Sequence, residues 1–210
     1  MKDIPLFLTD NGGAGLILRE IPTKGVAYVQ IRVSETPEDL LKQCIDFCRA
    51  AGAERIYATG HPVLTCYPHH TTLLHLQGAV EGIGETSLSL FPVTKKTWED
   101  FCNIYNEKMA SVPTADQMRL LDRERYEKSS YFVHKDGVLY GIGIVEEDEI
   151  LAIAACQKGA GREVLAALCQ VLSAETVHLT VAQNNIPAMR LYEKCGFLPI
   201  EQVADWYEIF

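Results

Sequence analysis

The chain has 210 residues, 48% of them hydrophobic and 22% charged, with a formal net charge of −9. That length suffices for one large domain or two small ones, and the balance is that of a globular protein. Neither half is basic: residues 1–87 hold 7 Lys and Arg against 10 Asp and Glu, and the rest hold 12 against 18. A nucleic-acid partner is therefore not expected. An acidic surface suits a cationic substrate, and it also simply keeps proteins dispersed. No apolar run is long enough to span a bilayer, and the opening MKDIPLFLTDNGG has no cleavage signal, so no membrane partner is expected either. Seven scattered cysteines without a CxxC pair point to a reducing, cytoplasmic setting and to small buried side chains, not to disulfides.

In chain order, Asp10-Asn11-Gly12-Gly13-Ala14-Gly15 reads as a turn; no helix comes after it, which argues against a phosphate loop. Residues 15–21 and 26–33, rich in β-branched side chains, read as strands. Thr36 as N-cap, Pro37 at the first helical position and Glu38-Asp39 in the first turn open a helix that Gly52 ends. Its apolar face is Leu40, Leu41, Cys44, Ile45, Phe47 and Cys48, and residues 55–58 resume as a strand, completing a βαβ-like unit. Residues 61–87 have no clear periodicity. They carry His61, Cys66, His69, His70 and His75, but the spacing matches no metal-ligand pattern, and no metal is expected.

From Ser87 the pattern restarts with a strand over 88–93. Thr97 caps a helix whose stripe is Phe101, Ile104, Tyr105 and Met109, and which Pro113 breaks. Thr114-Ala115-Asp116-Gln117 reads as a capping box that opens a second helix. Residues 131–145 form a hairpin turning at Asp136-Gly137. A short strand over 150–155, a glycine-containing loop, a helix over 162–172, a strand over 177–182, a helix over 186–195 ended by Gly196, and two closing strands complete the chain.

Two segments carry chemistry. Lys158-Gly159-Ala160-Gly161-Arg162 joins a buried strand to a helix. Glycines there let the backbone turn and approach a ligand, while the first N–H groups of the helix and its dipole favour an anion such as a pyrophosphate. Downstream, Asn185, Ala188, Leu191-Tyr192 and Gly196-Phe197 stand in a fixed spacing around one helix.

That helix resembles the fourth helix of the GNAT N-acetyltransferase superfamily, which reads Asn, two residues, Ala, two residues, Leu-Tyr, three residues, Gly-Phe. The glycine loop lies where the family has its own, and the resemblance covers about residues 88–210. One departure is Cys156, which stands where the family usually has Gln or Arg. The resemblance implies an α/β fold with a mixed, mostly antiparallel twisted sheet flanked by helices. Residues 88–210 would be the acetyltransferase domain and residues 1–87 a smaller α/β unit, with a degenerate copy of the same fold as one reading of it.

It further implies direct acetyl transfer from acetyl-CoA, as co-substrate, to a primary amine. The backbone of Lys158, Gly159, Ala160, Gly161 and Arg162 would hold the CoA pyrophosphate. Leu151, Ala152 and Ile153 would hydrogen-bond the pantetheine arm, with the strands 150–155 and 177–182 splayed apart there. Asn185 would contact the cofactor arm, or act only as a helix N-cap. Tyr192 would stabilise or protonate the departing sulfur. An alkylamine must lose a proton before it attacks, at a cost of about 4.6 kcal/mol at neutral pH for a pKa near 10.4. Glu149, in the acidic run Glu146-Glu147-Asp148-Glu149, is the candidate general base, although a solvated turn explains that run as well. Cys195 has no patterned His and is not expected to act as a nucleophile. Trp206 and Tyr207 are candidate acceptor-pocket residues, although aromatic residues in a closing strand are core more often than not. A non-catalytic acyl-CoA-binding or sensing module is the competing reading, and the oligomeric state, monomer or homodimer, stays open.

Overall fold

A computed structural model of the chain describes residues 5–112 and 114–210. Pro113, expected to break a helix, lies outside the described residues. The chain divides into two compact units, one running to Leu73 and taking in Val203–Phe210, the other Leu74–Gln202. The position between residues 87 and 88 falls inside the second unit.

The first unit begins with β1 (Leu6–Thr9) and β2 (Gly12–Ile17), an antiparallel hairpin in which Thr9 pairs with Gly12. The turn expected over residues 10–15 is therefore only Asp10-Asn11. Gly12 and Gly13 already belong to the strand, and a side chain at Gly12 would lie 2.3 Å from the Val33 carbonyl oxygen. The strand ends at Ile17, short of the expected residue 21, and Ile21–Lys24 forms a single helical turn, α1. β3 (Val26–Val33), α2 (Pro37–Ala50) and β4 (Arg55–Thr59) form the expected crossover, with β3 and β4 parallel. Leu40, Leu41, Cys44 and Cys48 of α2 are buried against Leu16, Val29, Ile31 and Ile56. Thr36 is the N-cap of α2 by position, yet its hydroxyl bonds Asn11 Oδ1 at 3.0 Å and does not cap.

β5 (His69–Ala79) is an 11-residue strand within the stretch that shows no periodicity. Its alternation is hidden because buried positions are polar: Thr71 and Thr72 are 2% and 7% exposed, and the Thr72 hydroxyl donates to Asp205 at 2.6 Å. Such burial is tolerated because the hydroxyl finds a partner.

The second unit adds α3 (Val80–Ile83), β6 (Ser89–Pro92), α4 (Trp98–Met109), α5 (Arg123–Tyr126), β7 (Ser130–Lys135), β8 (Val138–Glu146), β9 (Glu149–Ala155), α6 (Gly161–Cys169), β10 (Thr176–Ala182) and α7 (Ile186–Lys194). β11 (Leu198–Glu208) is one strand where two were expected, and it carries the chain back to the first unit. Strand order in the second unit is β5-β10-β9-β8-β7-β6, antiparallel from β9 through β6 and parallel between β9 and β10. The architecture is thus mixed α/β with a mostly antiparallel sheet flanked by helices. The β7–β8 hairpin turns at Asp136-Gly137, both at positive φ (50° and 78°), as a tight twisted turn demands.

No helix opens at Thr114. Its φ is 61°, and Asn106 of α4 exchanges two hydrogen bonds of 2.8 Å with the backbone of Met118. That bond pair takes backbone groups a helix would have used, and regular helix resumes only at Arg123.

Alternate residues of β8 face two cores. Ile142 and Ile144 pack with Trp98, Phe101 and Tyr105 of α4. Gly141 and Gly143 face α6, whose Val164 and Leu168 occupy the space side chains would fill. A Cβ on Gly143 would lie 2.3 Å from Leu168 Cδ1. Gly143→Ala is expected to lower stability by about 1–3 kcal/mol through overpacking, read as a lower urea midpoint with an unchanged slope.

Candidate functional site

The site begins with a failure of pairing. β9 and β10 are each 7 residues long, yet their ladder holds only His178↔Glu149 and Leu179↔Ile150. Beyond Ile150 the β10 side of β9 has no ladder partner among the described residues. On its other side β9 stays paired with β8, but with a register shift: Val145 pairs with Ile150 and Ile144 with Ala152. Leu151 is therefore an extra residue, a bulge at the point where the strands part. The bulge also switches faces. Ile150 enters the core under α6, whereas Ala152 and Ala154 turn to the α4 core. The half-open backbone over Leu151, Ala152 and Ile153 can accept an extended, amide-bearing chain as a strand would.

β9 leads into the loop at Lys158–Arg162. Cys156 N–H bonds the Tyr140 carbonyl at 2.8 Å, and the Gln157 side chain donates to the Leu139 carbonyl at 2.9 Å, which anchor the entry. Gly159 has φ 83°, and no atom lies within 4 Å of the place its Cβ would take. α6 starts at Gly161 with no side-chain cap from Ala160, so its first-turn N–H groups are offered outward. Arg162 Nε donates to the Ile83 carbonyl at 3.1 Å, which directs this side chain to the end of α3. An anion here would meet main-chain amides and the helix dipole more than guanidinium charge.

α7 lies against the same loop: a Cβ on Gly161 would come 3.0 Å from Leu191 Cδ2. Asn185 is the α7 N-cap, its Oδ1 accepting from Ala188 N–H at 3.4 Å. Tyr192 is buried, 6% exposed, with its ring 5.5 Å from that of Phe197. Burial raises its phenol well above the ordinary tyrosine range, with nearby Cys195 adding to the effect, so it stands protonated as a proton donor must. Cys195 is also buried, and burial raises its thiol despite the opposing Arg162 charge, which is no setting for a nucleophile.

Glu149 sits at the foot of the split, paired across the turn with Glu146. Glu146 is held by Arg125 at 2.9 and 3.1 Å. Two open concavities of about 530 and 470 Å³ gather at this turn, lined by residues such as Glu147, Asp148, Ser129 and Ser173. They lie at the opposite end of β9 from the glycine loop. His61, Cys66, His69, His70 and His75 converge on no metal site; no metal-holding group of three ligands occurs among the described residues. All seven cysteines are free, and among the described residues no helix is long and apolar enough to cross a membrane. Trp206 is core: it packs edge-on to Tyr28 at 5.4 Å within the first unit.

Sequence reasoning missed a pair at the foot of the split. His75 of β5 and His178 of β10 stack with ring centroids 5.3 Å apart and planes 10° from parallel. The signal present in the sequence is alternation: Val177, Leu179 and Val181 enter the core, leaving His178 and Thr180 on the other face.

The second unit thus sets a glycine-containing strand-to-helix loop beside a parallel strand pair that parts after two positions. Residues 98–197 match the sequence model of the acetyltransferase (GNAT) family, and this stretch is a GNAT domain. No curated protein sequence matches the chain. Solved structures share the fold at low identity. A conserved protein of unknown function from Staphylococcus epidermidis aligns at TM-score 0.62 and 12% identity, covering 98% of this chain and 93% of its own. A GCN5-related N-acetyltransferase from Sphaerobacter thermophilus aligns at 0.59 and 11%, covering 94% and 76%. A tandem GNAT protein from the clavulanic acid biosynthesis pathway aligns at 0.54 and 13%, covering 94% and 78%.

Asn185→Ala removes the α7 cap and is expected to cost about 1 kcal/mol in a denaturant titration. Iodoacetamide at neutral pH should label exposed Cys66 first, while Cys44 and Cys169, each pushed up to about 12 mainly by burial, stay unmodified until unfolding. Mass spectrometry of the folded protein reads the order of labelling.

Proposed function

We propose that the chain transfers an acetyl group from acetyl-CoA directly to a primary amine. The observation that carries this reading is the two-pair ladder between β9 and β10, opening beside an uncapped helix start. In this reading the main chain of Lys158 to Arg162 holds the pyrophosphate and the open edge at Leu151, Ala152 and Ile153 pairs with the pantetheine amides. The thioester then lies in the split, on the way to Tyr192. The tetrahedral intermediate collapses by breaking the carbon–sulfur bond, and the Tyr192 phenol supplies the proton the thiolate takes up. Asn185, besides capping α7, contacts the pantetheine arm. Glu149 is a candidate base for the attacking amine, and Cys195 plays no covalent part.

The acceptor enters on the α4 side, where the helix and the segment 114–122 form one wall. The net charge of −9 suits a cationic acceptor. In this reading residues 88–210 form the acetyltransferase domain and residues 1–87 a smaller α/β unit. The tandem GNAT neighbour supports reading the first part as a degenerate relative of the second. Free thiols throughout support a cytoplasmic setting.

The burial of Tyr192 favours a second reading, a module that binds acyl-CoA without turnover. Acetyl-CoA at a hundred times its Kd should stabilise the protein by about 2.7 kcal/mol, and no thermal shift at millimolar concentration would remove both readings. Tyr192→Phe then separates them. In the catalyst, CoA release with an amine panel falls about a hundredfold while the acetyl-CoA-induced shift is kept; in the binding module, wild type releases no CoA at all.

A further inference from the structure

The stacked histidines stand where the strands part. His178 is the ladder partner of Glu149, the last pair but one before the split, and Thr180 is the first β10 position beyond it on the same face. That face is the one turned from the α6 and α7 core, since Val177, Leu179 and Val181 fill the latter. His75 Nδ1 lies 3.3 Å from Thr180 Oγ1. Behind it, His178 Nε2 faces Asp148 Oδ2 at 3.8 Å, and His178 Nδ1 is buried with no hydrogen-bond partner. The two ring planes are nearly parallel, so His178 backs His75 like a plate.

We propose that His75 is the proton acceptor for the attacking amine, with Thr180 setting its tautomer and the stacked His178 ring setting its plane. This rests on the acetyl-transfer reading above and gives His75 the role for which Glu149 is the other candidate. With Nδ1–H donating to Thr180 Oγ1, the lone pair of His75 sits on Nε2, at the ring's free end. The ammonium form of the acceptor gives its proton to Nε2, and the freed nitrogen lone pair forms the bond to the thioester carbonyl carbon. The carbon–sulfur bond then breaks and the sulfur leaves as thiolate. Over the reaction the nitrogen loses two protons: one neutralises the sulfur, and the other leaves through His75 to solvent. No oxidant, metal or second co-reactant is needed. Thr180 and His178 are positioning residues and touch neither reacting atom.

The test uses the full chain, acetyl-CoA, and spermidine, tyramine and a short peptide with a free α-amine as acceptor probes, with CoA thiol release as readout. His75→Ala should lower kcat about a hundredfold, leave KM for acetyl-CoA and the acetyl-CoA thermal shift unchanged, and recover at least tenfold with added imidazole. Thr180→Val should lower kcat about tenfold. Nitrogen-15 spectra of the wild type should show His75 protonated on Nδ1 when neutral, a readout that needs no acceptor. Unchanged kcat in His75→Ala, or a neutral tautomer protonated on Nε2, overturns this role while leaving acetyl transfer standing. Loss of the thermal shift along with kcat marks a structural role and also overturns it. A wild type that binds acetyl-CoA but releases no CoA with any probe overturns the inference together with the acetyl-transfer reading.

Discussion

Pairing between β9 and β10 stops after two positions, and the rest of the second unit is arranged around that stop. A parallel pair normally runs the length of its shorter strand, because each unmade ladder bond leaves backbone groups to water or to a ligand. Here β9 keeps its bonds to β8 and abandons β10, and the bulge at Leu151 is the hinge of that change. The extra residue turns Ala152 and Ala154 to the α4 face, leaving Ile153 on the α6 side. The glycine loop and α6, next in the chain, are carried to the far end of β9.

The helices around the split pack in close contact. Gly141 and Gly143 let α6 settle onto β8 by the width of a side chain, and Gly161 lets Leu191 of α7 reach the start of α6. The start of α6, the end of β9 and the flank of α7 thereby meet without bulk between them. The same economy appears at Gly78, where a Cβ would lie 2.8 Å from the Phe197 ring.

Charge acts locally. A chain of net charge −9 is an unpromising place for a diphosphate if only the total is considered. Screening limits exposed charges to about 8 Å at physiological ionic strength, so the acidic turn at Glu146–Glu149, at the other end of β9, matters little at the loop. The amides at the start of α6, without a side-chain cap, and the exposed Lys158 lie nearest the loop, while the Arg162 side chain is occupied with the Ile83 carbonyl. Burial likewise sets the Tyr192 phenol and the Cys195 thiol, both pushed toward their protonated forms by the core around them.

Features governed by neighbours in the chain were legible from the residues alone. The Asp136-Gly137 hairpin, the Pro37 helix, the loop at Gly159 and Gly161, and the α7 pattern from Asn185 to Phe197 arise from dihedral preference, capping and helical spacing, none of which needs a distant partner. Tertiary structure decided the rest, because the deciding partners are far apart in sequence. β5 was hidden since the buried Thr72 hydroxyl becomes acceptable only once Asp205 is at hand. The Thr114 helix start lost to Asn106, which claimed the backbone of Met118. Thr36 gave its hydroxyl to Asn11. His75 and Thr180 are 105 positions apart, and neither has any mark of function until a sheet sets them side by side. Local rules specify which conformation a segment prefers; only the folded sheet specifies which side chains share a face.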